Sequence, residues 1–167
     1  MLIKLRPKSE FSRNVLTLMT GTTIAQAIPI AISPILTRIY TPEDFGVFAL
    51  FIGVVGVISV IATLTYEQAI ILPKYDKYAI NIFMLSLILI LFTSIFSFII
   101  IFSFKEEILN LLNNDLLGNW LFFVPITVFF LALFNLLTNY NNRIKEYKDI
   151  AKATVIKSLV LSIIQVL

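Results

Sequence analysis

The chain has 167 residues, 59% of them hydrophobic and 14% charged, with no cysteine and no histidine. That is more apolar side chain than a soluble core needs, and it leaves no disulfide staple, no common zinc site and no Ser-His or Cys-His catalytic pair; no cofactor or metal is expected. The formal net charge of +3 carries less information than its distribution, which reads as membrane topology rather than as a footprint for nucleic acid.

A basic N-terminus, residues 1–14 with Lys4, Arg6, Lys8 and Arg13, precedes an apolar run that is too long for a signal-peptide core and lacks a small-x-small cleavage site, so an uncleaved first span is expected. Five apolar segments follow, at 15–37, 46–72, 79–104, 120–140 and 153–167. Runs of roughly 20 residues match a hydrocarbon core about 30 Å thick, whereas buried helices of soluble domains are usually shorter. The expected fold class is an all-α polytopic membrane protein, one transmembrane helical bundle over 15–167. The first two spans are separated by Arg38-Ile39-Tyr40-Thr41-Pro42-Glu43-Asp44-Phe45-Gly46, a turn short enough to make them antiparallel neighbours. The fifth segment stops at Leu167 after about fifteen residues, roughly 22 Å of helix, and reads as a span cut short.

Ten of the thirteen basic residues fall in the N-terminus, around Lys74 and Lys77, and in the stretch Arg143, Lys145, Lys148, Lys152. Arg38 and Lys105 fall on the opposite side and Lys157 within a span. The positive-inside bias therefore places the N-terminus in the cytoplasm. Between the third and fourth spans, Ile108, Leu109, Leu111, Leu112 and Leu116 share one helical face, and Glu106, Glu107, Asn110, Asn113 and Asn114 the other. Segment 105–119 is read as a helix lying flat on the outer surface, against the alternative of a solvated loop, and Trp120 marks the re-entry into lipid.

Polar residues inside the spans are the candidate site. In the first span Thr22, Gln26, Pro29, Ser33 and Thr37 fall within about 80° of helical arc. Pro29 and Pro34 each remove a backbone donor, freeing carbonyls near Ala25 and Ile30 for water, a hydroxyl or a neighbouring helix. The alternative is that threonine and serine bond back to their own backbone and the prolines only set a packing angle. Gln26 resists that reading, because backbone alone rarely satisfies its amide. In the second span Gly46, Gly53, Gly56, Thr63 and Glu67 read as a close-packing glycine strip that runs into a carboxylate. Glu67 is either a lumen acid that handles a cation, a proton or a basic partner, or half of a structural ion pair, with Tyr66 as a sugar-stacking or interfacial neighbour. Arg38 and Lys157 either snorkel to headgroups or contact a lipid-linked phosphate. Asn135, Thr138, Asn139 and Asn142 share a face beside Arg143, as helix glue or as sugar-recognising amides.

Three stretches carry a resemblance: Asn14 to Thr23 (NVLTLMTGTT), Ile35 to Gly46 (ILTRIYTPEDFG) and Tyr66 to Pro73 (YEQAIILP). Together they make the first 75 residues similar to the N-terminal region of bacterial polysaccharide-biosynthesis membrane proteins, the O-antigen-type flippases of the multidrug/oligosaccharidyl-lipid/polysaccharide exporter superfamily. The resemblance implies a two-lobe transporter of the bacterial cytoplasmic (inner) membrane, here part of a six-helix N-terminal lobe, that moves an isoprenoid-diphosphate-linked oligosaccharide to the outer leaflet for O-antigen or lipopolysaccharide biosynthesis. Its partners would be membrane lipid, the lipid-linked oligosaccharide and other polysaccharide-assembly membrane proteins. It also implies that this length of chain is inactive alone, because alternating access needs one lobe to move against the other. The cavity candidates are Gln26, Arg38, Tyr66, Glu67, Asn135 and Asn139, with Lys157 a weaker one. The alternatives are a drug or cation exporter of the same superfamily, using Glu67 for coupling, and a membrane enzyme acting on lipid-linked glycans. The enzyme ranks last, since the outer loops carry no convergent acid-base set and no catalytic residue is expected.

Overall fold

The computed structural model describes residues 6–166, so Lys4 and Leu167 lie outside the described residues. Those residues form helices and no strand: α1 (Arg6–Ile39), α2 (Pro42–Thr63), a 3₁₀ segment Tyr66–Ile71, α3 (Asp76–Ser103), α4 (Lys105–Leu112), a second 3₁₀ segment Asp115–Phe123, α5 (Val124–Arg143) and α6 (Tyr147–Val166). Among the described residues, four stretches are long and apolar enough to cross a membrane: Ser12–Ile39, Pro42–Ala62, Asp76–Ser103 and Leu116–Arg143. They correspond to the first four expected spans. The fifth expected span falls in α6, which carries Lys148, Asp149, Lys152 and Lys157 and is not among the four.

The chain forms two compact units, one made of α1 and α6 and the other of Pro42–Arg143. In the first, Gly21, Ala25, Ile150, Ala151 and Ser162 are buried. Gly21 and Ala25 sit four apart on α1, a spacing that lets backbones approach closely. A Cβ built at Gly21 would stand 2.5 Å from the Cβ of Ala151 and 3.0 Å from its Cα, so the crossing requires glycine there. The carbonyl that Pro29 frees finds the partner anticipated for it: the Ser158 hydroxyl of α6 donates to the Ala25 carbonyl oxygen at 2.5 Å. Near the end of α1, the Tyr40 hydroxyl donates to the Gln165 carbonyl oxygen at 3.0 Å.

The second unit has a conventional apolar core. On α5, Val124, Val128, Ala132 and Leu136 recur every four residues on one face and are all buried. Ala79, Ile90 and Ile101 of α3, Val55 and Ala62 of α2, Ile70 of the first 3₁₀ segment, Leu109 of α4, and Leu117 and Leu121 of the second 3₁₀ segment complete it. The Thr93 hydroxyl donates to the Ala62 carbonyl oxygen at 3.3 Å, and Phe83 meets Tyr140 edge-on with ring centroids 5.5 Å apart. Large apolar side chains such as Val57, Phe92, Ile99, Phe102 and Phe130 point away from this core and are exposed, the surface a hydrocarbon solvent requires.

The first helix begins at Arg6, ahead of the first apolar stretch at Ser12. Three expectations need correction. The second span does not run to residue 72: α2 ends at Thr63, Leu64 (φ 49°) and Thr65 (φ 61°) adopt left-handed backbone, and Tyr66–Ile71 is 3₁₀. The turn drives Ile70 to complete burial, a tertiary gain that a hydropathy pattern does not register. The glycine strip of α2 is not close-packed either, since Gly46, Gly53 and Gly56 each face open space within 4 Å of a built Cβ. Lastly, segment 105–119 divides at Asn113, itself left-handed (φ 48°), into α4 and the second 3₁₀ segment. Leu109 is buried and Ile108 and Leu112 pack against the core, whereas Leu111 (85% exposed) and Leu116 do not join that face. The two parts are pinned together by Lys105, whose ammonium donates to the Asn119 side-chain oxygen at 3.1 Å and sits 5.4 Å from the Phe122 ring centroid.

Candidate functional site

The two units hold different parts of the expected site. In the first, Thr22, Ala25 and Gln26 of α1 and Thr154, Lys157 and Ser158 of α6 line a cleft of about 220 Å³. Gln26 and Lys157, placed on separate spans by the sequence, therefore share one surface. As in the second alternative for the first span, the Thr22 hydroxyl bonds back to its own helix, donating to the Leu18 carbonyl at 2.8 Å, and Thr154 of α6 donates to the Ile150 carbonyl at 2.8 Å. Thr37 likewise bonds back to Pro34 at 3.1 Å. Gln26 stays exposed, leaving an amide beside the one cation of the cleft. Arg38 is exposed in the last turn of α1 and does not line the cleft; its charge is favourable at a helix C-terminus. On the other flank of the same helix pair a second cleft, about 370 Å³, is lined by Thr17, Thr20, Lys148 and Lys152 among others.

In the second unit, the segment that follows the left-handed pair carries Tyr66, 46% exposed, and Glu67, 8% exposed. One carboxylate oxygen of Glu67, Oε2, is buried with no hydrogen-bond partner. Burying a carboxylate oxygen unpaired costs on the order of 1–3 kcal/mol or more, and each left-handed non-glycine residue adds about 1–3 kcal/mol. Something must hold this segment down. Arg143, the last residue of α5, does so: Nη1 donates to the carbonyl oxygens of Ile70 at 3.0 Å and Pro73 at 2.8 Å, while Nη2 reaches Asp76 Oδ1 at 2.9 Å. Its side chain is 12% exposed. In the sequence Arg143 reads as a topology charge beside the asparagine face; a guanidinium closing a clasp some seventy residues back leaves no local signal.

Asn135 is exposed on α5, and the Asn139 amide donates to the Asn135 carbonyl at 3.0 Å, spending one of its donors inside the helix. Thr138 does the same with Phe134 at 2.8 Å. Tyr66, Glu67, Asn135 and Asn139 thus belong to one unit and Gln26, Arg38 and Lys157 to the other.

Four long apolar helices among the described residues, which contain no strand, define a multi-pass membrane protein. Among the described residues no group of acidic side chains could hold a metal ion. Residues 35–167 match the family described as polysaccharide biosynthesis protein, and the chain belongs to that family. The matched region includes the LTRIYTPEDFG and YEQAIILP stretches and continues through α3 to α6, well past Pro73 where the motif resemblance ends. Comparison with curated proteins and with solved structures gives no match.

Proposed function

We propose that the protein translocates a lipid-linked oligosaccharide, carried on an isoprenoid diphosphate, across the bacterial cytoplasmic membrane for polysaccharide biosynthesis, as a transporter rather than an enzyme. The family match over residues 35–167, together with four long apolar helices among the described residues, carries this reading. The cleft between α1 and α6 supports it with matching chemistry: the Lys157 ammonium suits a phosphate and the Gln26 amide a sugar hydroxyl. The N-terminus is cytoplasmic in this reading, on the strength of the basic residues around Lys74 and after Arg143. O-antigen assembly is the pathway class to which the motif resemblance points.

A second reading has one observation in its favour. The buried, unpartnered Oε2 of Glu67 suits an exporter of small cations that loads on a carboxylate. The two are separated by expressing the chain, alone and with whatever coding sequence continues it, in a host whose own lipid-linked oligosaccharide transporter is deleted. The flippase reading expects surface glycan to return, and to be lost again with Gln26→Ala combined with Lys157→Gln. Membrane insertion without surface glycan, together with export of a cationic dye that Glu67→Gln abolishes, would transfer the function to the second reading.

A further inference from the structure

The stretch from Leu64 to Leu72 can be built in two ways. The apolar run 46–72, with Pro73 as a natural stop, favours a single α-helix that continues α2. The observed backbone instead places Leu64 and Thr65 in the left-handed region, where side chains are disfavoured, and closes into a 3₁₀ turn, whose hydrogen bonds are poorer. It also leaves Glu67 Oε2 buried and unpaired. Local preference thus favours the backbone that is not observed, and the restraint comes from outside the segment, from burial of Ile70 and from the guanidinium of Arg143 on the Ile70 and Pro73 carbonyls. Asp76, the third partner, is 90% exposed, so its ion pair is weak and the two sheltered carbonyl bonds carry the restraint.

We propose that Arg143 is a latch. Closed, it holds residues 64–72 as a kinked turn that buries Glu67; open, it lets the segment join α2 as one continuous helix and present the Glu67 carboxylate. Arg143 is then the positioning residue for Glu67, an arrangement that rests on backbone and guanidinium geometry and stands independently of the substrate carried.

The chain contains no cysteine, so one introduced thiol reports without background. In the full chain in detergent, the Glu67→Cys thiol should react slowly with a water-soluble maleimide. Adding Arg143→Gln should raise the rate roughly tenfold or more, since opening now costs fewer charge-assisted hydrogen bonds. Adding Thr65→Gly as well should bring the rate back down, because glycine relieves the left-handed turn and penalises the continuous helix. Asp76→Asn should change it little. A Ser86→Cys thiol, at a fully buried position of α3, should stay protected throughout. The latch is overturned if Arg143→Gln leaves the rate unchanged or if Thr65→Gly fails to slow it. A parallel rise at Ser86→Cys would equally overturn it, making Arg143 a strut for the whole unit.

Discussion

The two units of this chain use small residues in opposite ways. Along α1, Gly21 lies against Ala151 with no room for a methyl group, and close approach lets the Ser158 hydroxyl reach the carbonyl that Pro29 leaves open. Along α2, three glycines at helical spacing meet nothing within 4 Å of a built Cβ, and the unit is held by buried Ile70, Ile90, Leu121 and Leu136. A glycine marks a helix contact only where a partner presents its own small residues; spacing along one helix does not tell the two cases apart.

The comparison breaks most visibly at Gly21. Gly21→Leu should separate α1 from α6, read as strong labelling of an Ala25→Cys thiol, normally 6% exposed, while an Ala132→Cys thiol in α5 stays protected. Unchanged protection at Ala25 would mean that the crossing does not need glycine. Leu121→Ala, in the core of the other unit, should cost about 2–5 kcal/mol through the cavity it leaves, measured by denaturant titration in detergent. A smaller effect follows from Ser158→Ala, about 0.5–1.5 kcal/mol for one lost hydrogen bond. Pro29→Ala in the same background should recover part of it by returning an amide to the Ala25 carbonyl. Smallest of all is Gly53→Ala, expected to leave the melting temperature unchanged or raise it slightly, because an exposed helix interior gains about 0.5–1 kcal/mol from the change. A clear drop there would show the α2 strip to be packed.

Much of the fold was legible because lipid imposes long apolar runs, and the first four spans needed only length and hydropathy. The carbonyl near Ala25 was legible for a similar reason: a proline removes a donor wherever it sits in a helix. Its hydroxyl partner on α6 was not, since nothing in the sequence aligns Ser158 with it. The site was read less completely. Gln26 and Lys157 stand out in the sequence for the cost of their polar groups within apolar runs, but their meeting in one cleft is a property of the helix pair. In the sequence Glu67 reads as a residue late in a long span, whereas it sits in a turn beyond the end of α2, held by contacts whose partners lie about seventy residues away. Arg143 illustrates the same limit, because a cation at a helix end satisfies the topology rule and a structural clasp equally well.

The most direct measurement is transport in proteoliposomes containing the purified protein, with any sequence that continues it, and a fluorescent oligosaccharide on an isoprenoid diphosphate. Exposure of the sugar to a glycosidase added on the opposite side is the readout. The account predicts transfer that depends on the protein and falls when Gln26→Ala and Lys157→Gln are combined. Protein-dependent transfer of a small cation, with the oligosaccharide lipid left in its original leaflet, would contradict it.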